Sequence, residues 1–287
     1  ERKIVSVHSK PVVNFDIQGS PNACSNTTTF FDNTTTNPDT RPITQWLWQF
    51  NDPNNNQTDS RVNGEHLFSE PGTYPVSLTA TTAAGCSATL EKEIMIYPSP
   101  STEFLHTAAC EDVPVSFTGP ADPLIESSYW EIGTSYSYDA SPTQTFAAPG
   151  DYQLHAEFYG SNGCISTTQK TIHVPIPLTP DFSVVKNCGD HEAIFIDITS
   201  GIDPVAARTW NFGNATTAIT SPATHAFTQQ GTVAVTLQVT AESGCIYTTT
   251  KQIEIVAAPV ADFTASPETG AYPLDVTFTN TSMEADR

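Results

Sequence analysis

Three stretches of the chain repeat the same residues in the same order, with a fixed spacing from Phe to Gly to Cys, and this repeat limits the fold more than any other feature. In each stretch a Trp is followed by a Phe, a Gly lies four residues after the Phe, and a Cys lies fourteen residues after the Gly. These residues are Trp48, Phe68, Gly72 and Cys86; Trp130, Phe146, Gly150 and Cys164; and Trp210, Phe227, Gly231 and Cys245. Three copies of one register indicate an array of similar units rather than one large domain.

Each unit contains runs in which apolar and polar residues alternate, as in residues 74–78, 152–156 and 233–237. Clusters of Gly, Pro and Asn separate the runs, and no stretch keeps an apolar period of 3.6. Such runs predict β-strands, and several short strands in about 80 residues predict an antiparallel sandwich of immunoglobulin-like architecture. The expected fold is all-β, with tandem sandwiches in an extended array.

The closing strand and the Pro-containing junction of each unit set the predicted boundaries. Whole units are expected at residues 11–97, 98–175 and 176–257, which are called repeats 1, 2 and 3. Residues 1–10 match the closing strand of a preceding repeat, and residues 258–287 match the opening strands of a following, incomplete one. Because two strands alone are not stable in water, we expect the natural protein to continue in both directions.

The charge of the chain limits its partners. A net charge of −20 disfavours nucleic acid and anionic membrane surfaces, which attract basic proteins. No apolar run approaches the roughly 18 residues that a membrane-spanning helix needs, so membrane insertion is not expected. The charge is typical of a soluble surface protein.

Six cysteines are spread along the chain, without a C-x-x-C pair and without the Cys–His spacing of a zinc site. An even number in a β-rich, Lys-poor chain predicts disulfides and a secreted, extracellular location. The most economical pairing lies within each repeat and closes loops worth roughly 4 kcal/mol each. The predicted pairs are Cys24 with Cys86, Cys110 with Cys164, and Cys188 with Cys245.

The repeats resemble the polycystic-kidney-disease-type (PKD) repeat, whose motifs are Trp-x-Phe-Gly, His-x-Phe and Gly-x-Tyr-x-Val. Residues 210–213, 225–227 and 231–233 carry them in repeat 3, and residues 48–50, 66–68 and 72–76 carry them in repeat 1. Repeat 2 has Gln144 in place of the motif His, and residues 261–267 match the start of a further repeat. Cys-containing, acidic arrays of this type are similar to those of very large Bacteroidota cell-surface proteins, which implies a gliding-associated adhesin or a cargo of type IX secretion.

Candidate sites are few, and no catalytic residue is predicted. Nucleophile-elbow, zinc-protease and dinucleotide motifs are missing from the sequence, and its notable residues recur in every repeat, so an enzyme is not expected. His66 and His225 occupy equivalent positions and are interpreted as structural hydrogen-bonding groups. Residues 51–59 are rich in Asn and Asp; we interpret them as a turn and predict no cofactor, with a Ca²⁺ site as the alternative.

The sequence is compatible with two main functions, a spacer and a binding module. A stalk or spacer of a secreted cell-surface protein is favoured by the prolines at residues 98–100 and 175–180, because Pro restricts bending of the junctions. Its partners would be neighbouring repeats of the same chain and other cell-surface or secretion-machinery proteins. The alternative is an accessory module of a secreted enzyme that binds polysaccharide or protein, with Trp46, Tyr136 and Tyr138 as a surface on which sugars stack. A receptor ectodomain is a third interpretation.

Overall fold

A computed structural model describes residues 7–18, 22–39, 41–186, 192–213, 216–228, 230–256 and 260–283. Most of the predicted closing strand in residues 1–10, and Cys188, lie outside these residues. Within them, every regular element is a β-strand, and no helix is long and apolar enough to span a membrane. The all-β class predicted from the sequence is confirmed.

The strands of repeat 1 form two sheets, with orders β1-β3-β6 and β2-β8-β7-β4-β5. Their bounds are β1 Phe15–Ile17, β2 Ala23–Cys24, β3 Thr28–Asn33, β4 Ile43–Gln49, β5 Thr58–Asp59, β6 Gly64–Leu67, β7 Gly72–Thr82 and β8 Ser87–Tyr97. The pairs are antiparallel except for β2, which runs parallel to the end of β8 and places Cys24 opposite Tyr97. That single parallel pair fixes the position of the first cysteine.

Repeats 2 and 3 follow the same order of strands. Repeat 2 has sheets β13-β10-β9 and β12-β11-β14-β15, and repeat 3 has sheets β16-β17-β20 and β19-β18-β21-β22. In repeat 2 the bounds are β9 Leu105–His106, β10 Pro114–Thr118, β11 Ile125–Ile132, β12 Ser135–Ser137, β13 Thr143–Thr145, β14 Gly150–Gly160 and β15 Ile165–Val174. In repeat 3 they are β16 Phe182–Lys186, β17 Glu192–Asp197, β18 Val205–Asn211, β19 Thr217–Ala218, β20 Ala223–Ala226, β21 Gly231–Ala241 and β22 Ile246–Ile255.

Two further strands, β23 Phe263–Ser266 and β24 Thr277–Asn280, pair antiparallel after repeat 3. When residues are grouped by the contacts between them, the chain divides into two compact regions. Residues 1–106, 116–143 and 153–171 form one region, and residues 107–115, 144–152 and 172–287 form the other. Repeat 2 therefore contributes residues to both regions.

A fully buried Trp organises the core of every repeat. Trp48 lies 5.1 Å from Phe15 between ring centroids, and Trp210 lies 5.3 Å from Phe182 in an equivalent edge-to-face contact. Trp130 and Phe104 repeat this contact at 5.2 Å. Each indole N–H also donates a hydrogen bond, as Trp48 does to the carbonyl oxygen of Arg61 at 3.1 Å. Burial of these aromatic residues with their N–H groups satisfied explains why the Trp recurs in the sequence.

Candidate functional site

Two disulfide bonds link successive repeats, and the pairing within repeats that the spacing suggested is wrong. Cys24 of repeat 1 is bonded to Cys164 of repeat 2, and Cys110 of repeat 2 is bonded to Cys245 of repeat 3. The Cα atoms are 5.8 and 5.7 Å apart, within the usual range for a disulfide. Cys245 therefore does not bond to Cys188, and Cys86 is a free thiol in the described part of the chain.

The length of the hairpin in repeat 1 explains the error. Cys86 lies in the turn between β7 and β8, whereas Cys24 lies beside Tyr97 at the far end of β8. A strand rises about 3.3 Å per residue, so the ten steps from Ser87 to Tyr97 cover about 33 Å. A disulfide needs Cα atoms less than about 7 Å apart, and the two cysteines of one repeat are therefore too distant to bond.

The second cysteine of each repeat is held in the same tight turn. A Gly with positive φ precedes it in every repeat: Gly85 at 83°, Gly163 at 83° and Gly244 at 88°. The carbonyl oxygen of the cysteine accepts a hydrogen bond from an N–H four residues back, at 3.0 Å for Cys86, 2.8 Å for Cys164 and 2.9 Å for Cys245. The left-handed conformation favours Gly, which is why Gly-Cys recurs in the sequence.

Hydrogen bonds surround the disulfide between repeats 1 and 2. The side-chain amide of Asn22 donates to the carbonyl oxygen of Asn162 at 2.8 Å, and that of Asn162 donates to the carbonyl oxygen of Pro98 at 2.8 Å. The backbone N–H of Ser99 donates to Oγ of Ser25 at 3.1 Å. The junction is thus held by the covalent bond and by polar contacts from both repeats.

The disulfide between repeats 2 and 3 is almost completely buried, with Cys110 8% and Cys245 1% exposed. Sγ of Cys245 lies 3.7 Å from the carbonyl oxygen of Ala109, the residue before its partner. Beside this junction runs an apolar groove of about 820 Å³, whose lining includes Pro175, Ile176 and Ile202. Burial protects the disulfide from thiols in solution.

The residues proposed as a calcium loop are used for other contacts. Asp52 is fully buried; its Oδ2 lies 3.1 Å from Nε2 of His66, and its Oδ1 accepts the N–H of Asn54 at 2.9 Å. Both carboxylate oxygens of Asp59 accept hydrogen bonds from the guanidinium of Arg61. Burial raises the pKa of Asp59, but hydrogen bonds from Arg61 outweigh it and hold the pKa below its usual value. The described residues contain no group of three or more His, Cys, Asp or Glu that could hold a metal.

The two equivalent histidines both stack on an aromatic ring. His66 lies 4.4 Å from Phe50, and His225 lies 4.3 Å from Phe212, between ring centroids. His66 makes the structural hydrogen bond that was predicted for it, with Asp52 as the partner. Burial lowers the pKa of His225 below its usual value.

The structure brings two of the three predicted surface aromatics together. Tyr136 and Tyr138 are 73% and 72% exposed, and their ring centroids are 6.4 Å apart. Tyr129, which the sequence pattern did not indicate, lies 5.4 Å from Tyr138, and the phenol of Tyr159 donates to Glu157 on the same strand. Trp46 instead packs against the core of repeat 1. Tyr129 joins this group because its strand, β11, pairs with both β12 and β14. This pairing could not be predicted from the sequence.

Comparisons with known proteins support the resemblance to PKD repeats. The family model described as PKD domain matches residues 8–96 and 192–257, together more than half of the chain. A search of the curated proteins finds no match.

Several solved structures are similar to parts of the chain. The PKD1 domain of the Vibrio cholerae metalloprotease PrtV is 26% identical, over 31% of this chain and 99% of that one, with a TM-score of 0.27. The PKD1 domain of Vibrio anguillarum Epp is 22% identical, over 32% and 99%, with a TM-score of 0.28. Bacteroides ovatus SGBP-B, of a mixed-linkage glucan utilization locus and solved with a mixed-linkage heptasaccharide, is 14% identical over 91% and 74%, with a TM-score of 0.23.

Proposed function

The chain belongs to the PKD domain family, and we propose that it is a non-catalytic extracellular spacer whose repeats are cross-linked so that it resists being pulled apart. The observation that carries this proposal is the pair of disulfides between repeats, Cys24–Cys164 and Cys110–Cys245. Disulfides that only stabilised single repeats would lie inside them. Bonds between repeats limit how far one repeat can separate from the next.

The two disulfides enclose overlapping loops, since Cys110 lies inside the loop closed by Cys24 and Cys164. Under tension the shortest covalent path runs from Cys24 across to Cys164, back along the chain to Cys110, and across to Cys245. That path follows the chain for 54 residue steps, from position 110 to position 164, whereas the path without disulfides follows it for 221 residue steps, from position 24 to position 245. Most of the sequence in this region is therefore shielded from a pulling force.

An extended chain spans about 3.5 Å per residue. The region from position 24 to position 245 therefore reaches about 190 Å when oxidised and about 770 Å when reduced, taking the two path lengths above with this rise. Unfolding of all three repeats would lengthen the oxidised protein by only a fraction of its chain length. This property suits a spacer that bears load.

The setting that we propose is extracellular. Disulfides persist in oxidising compartments, and those between repeats require that both partners meet oxidising conditions after folding. The net charge of −20 opposes collapse of neighbouring repeats and favours solubility at a cell surface. On the resemblance to Bacteroidota arrays, we place the spacer in a large adhesin-like surface protein exported by type IX secretion. Detection of the chain by protease shaving of intact cells, and its loss from the surface when that secretion system is disabled, would test this setting.

Single-molecule stretching of the 287-residue chain tests the spacer role. We expect the fully unfolded oxidised protein to reach about 190 Å between positions 24 and 245, and the unfolded protein in dithiothreitol to reach about 770 Å. Single substitutions give intermediate values. Cys110→Ser leaves an 81-residue path and about 280 Å, and Cys24→Ser leaves an 86-residue path and about 300 Å. Equal extension in the oxidised and reduced protein would contradict the proposal.

A second candidate function, binding of polysaccharide, is favoured by the tyrosine surface of repeat 2. Aromatic rings present apolar faces that stack on sugar rings, and the neighbouring Glu157 carboxylate accepts hydroxyl hydrogen bonds. The position of Tyr136 is occupied by Thr58 in repeat 1 and by Thr217 in repeat 3. The position of Tyr138 is occupied by Ser60 in repeat 1 and by Ile219 in repeat 3. The surface therefore belongs to repeat 2 alone, as a specific binding site would.

Pull-down on insoluble polysaccharides separates the two candidates. If the surface binds, the double substitution Tyr136→Ala and Tyr138→Ala reduces retention at least tenfold, because each stacked ring contributes about 1 kcal/mol. Tyr272→Ala is the matched control, since Tyr272 is 98% exposed and lies outside this surface. Absence of retention for the unsubstituted chain on every polysaccharide would leave the spacer role alone.

A further inference from the structure

The two disulfides follow one rule. In each, the first cysteine of a repeat is bonded to the second cysteine of the next repeat: Cys24 to Cys164, and Cys110 to Cys245. Cys86 is the second cysteine of repeat 1, and it is the free thiol of the described residues. By this rule, the disulfide partner of Cys86 would be the first cysteine of a repeat on the N-terminal side of repeat 1.

The local structure around Cys86 is already that of the bonded cysteines. The N–H of Gly85 donates to the carbonyl oxygen of Thr82 at 2.9 Å, and those of Gly163 and Gly244 make the same bond in their turns, both at 2.9 Å. With the matching φ angles and cysteine hydrogen bonds described above, the three turns have one conformation. The half-buried thiol of Cys86 is thus presented by the same backbone that presents the sulfurs of Cys164 and Cys245.

The thiol of Cys86 also contacts the segment of chain that precedes repeat 1. Its Sγ lies 3.9 Å from the carbonyl oxygen of His8, whereas Sγ of Cys245 lies 3.7 Å from the carbonyl oxygen of Ala109, next to its partner Cys110. His8 is seven residues before Phe15, and Tyr97 is seven residues before Phe104, so His8 and Tyr97 occupy the same repeat position. In repeat 1 the residue beside Tyr97 is Cys24. Cys86 therefore faces the chain position beside which a first cysteine lies.

We propose that Cys86 forms a disulfide with the cysteine at the Cys24 position of a PKD repeat on the N-terminal side, and so continues the cross-linking beyond repeat 1. The bond forms by thiol–disulfide exchange with an extracellular disulfide donor. One cysteine thiolate attacks a donor sulfur and expels a thiolate, and the second thiolate then displaces the donor from this mixed disulfide. The donor disulfide is reduced to two thiols as the Cys86 disulfide forms, so two protons and two electrons pass to the donor. This inference deepens the proposed spacer function and extends its cross-links.

An inserted repeat tests the proposal in the full chain. Val7 occupies the repeat position of Ile96, eight residues before the opening Phe in each case, so a second copy of residues 8–96 placed between Val7 and His8 keeps the register. The inserted copy carries Cys86→Ser, to remove its own second cysteine, and Thr27→Ser, as a mass tag. After refolding with oxidised glutathione, non-reducing peptide mapping should find the tagged Cys24 peptide joined to Cys86 of the original repeat.

The matched control is the same insert with Cys24→Ser, in which Cys86 should stay reactive to N-ethylmaleimide. The links Cys24–Cys164 and Cys110–Cys245 of the original chain report correct folding in both variants. A second donor guards against an insert that does not fold: residues 97–174 inserted at the same point supply Cys110 and carry Cys164→Ser. Cys86 that stays free with both donors overturns the proposal.

Peptide mapping and stretching measure different properties, so the inference and the spacer function can fail separately. A cross-linked Cys86 in a chain whose oxidised form extends as far as its reduced form would support this inference and overturn the spacer. A free Cys86 in a chain that resists extension would overturn this inference and support the spacer function.

Discussion

Nε2 of His66 lies 3.1 Å from Oδ2 of Asp52, and the two side chains are 3% and 0% exposed. The imidazole also stacks on Phe50 and meets the edge of Phe68, with ring centroids 4.4 and 4.5 Å away. The pair therefore connects the loop after β4 with strand β6. In repeat 3 the position of Asp52 is taken by Asn214, which lies outside the described residues.

We predict that Asp52→Ala destabilises repeat 1 by about 2 kcal/mol, because it leaves a buried ring nitrogen of His66 without its partner. Hydrogen exchange of the amides in β6 and in residues 50–55, followed by mass spectrometry, measures the loss within that repeat. Amides of repeat 3 should keep their exchange rates. Unchanged protection in β6 would show that the pair contributes nothing to stability.

Asp52→Asn is the matched substitution, since Asn keeps an oxygen acceptor of the same size and is the residue at the equivalent position of repeat 3. We expect it to cost less than about 1 kcal/mol, because a hydrogen bond to His66 can still form. A loss as large as that of Asp52→Ala would mean that the carboxylate charge, not the hydrogen bond, is what stabilises the loop.

The cysteine pairing makes a prediction about single substitutions. In Cys164→Ser the thiol of Cys24 should become reactive to N-ethylmaleimide after unfolding, whereas Cys110 should stay blocked by Cys245. The loop-closure model assigns about 5 kcal/mol to a disulfide that closes a loop of about 140 residues. Three variants should lose the same stability, because each removes the same single bond: Cys24→Ser, Cys164→Ser and the double variant that carries both substitutions. A double variant that loses the sum of the two single losses would contradict the pairing.

The sequence predicts the contents of a repeat better than the connections between repeats. The recurring Trp and Phe residues lie in the cores because each repeat must bury its own aromatic side chains. Trp48, Trp130 and Trp210 are all fully buried. The Gly-Cys turns are likewise explained by local backbone conformation.

Disulfide partners are different, because they depend on which strand ends meet in space. The separation of Cys24 from Cys86 follows from the length of β8 and the parallel pairing of β2, and only the first of these is visible in the sequence. The contact between Asp52 and His66 has the same origin. It joins a loop to a strand fourteen residues away, and neither residue type alone indicates the other.

Gly64 provides a test of how tightly the core of repeat 1 is packed. A Cβ atom at this buried position would lie 2.8 Å from Cδ2 of Trp48, closer than real Cβ contacts. We expect Gly64→Ala to destabilise repeat 1 by about 1–3 kcal/mol, because the indole must move within a filled core. Faster hydrogen exchange of the β6 amides measures the loss. Glu65→Ala, at the exposed neighbouring position, is the control and should change these rates little.

Repeat 3 carries Ala223 where repeat 1 has Gly64, since Phe195 pairs with Ala223 as Phe31 pairs with Gly64. Its core has thus adapted to the extra methyl group, which is 1% exposed. Ala223→Gly should therefore also destabilise its repeat, by about 1 kcal/mol, through lost packing and greater freedom of the unfolded chain. Stabilisation by either substitution would show that the two cores are packed alike at this position.

Asp197, at the end of β17, makes the stability of repeat 3 depend on pH. The carboxylate is 4% exposed; Oδ1 accepts the N–H of Thr199 at 2.8 Å, and Oδ2 lies 2.8 Å from Nε of Arg208. Burial raises the pKa of Asp197, but hydrogen bonds from Thr199 and the ion pair with Arg208 outweigh it and lower the pKa below its usual value. The charged form is therefore the form that stabilises the folded repeat.

A folded pKa below that of the unfolded chain gives stability that is present above about pH 4 and is lost as the pH falls through the folded pKa. We expect Asp197→Asn to cost about 1.5 kcal/mol at pH 7 and progressively less below pH 4, so that the two stability curves converge in acid. Urea unfolding of repeat 3, followed by hydrogen exchange in β17 and β18 at several pH values, measures the difference. Asp181→Asn is the control, because the ion pair of Asp181 with Lys251 is nearly half exposed and should contribute little. A difference between Asp197→Asn and the unsubstituted protein that stays constant down to pH 2 would show that the charge of Asp197 does not stabilise the repeat.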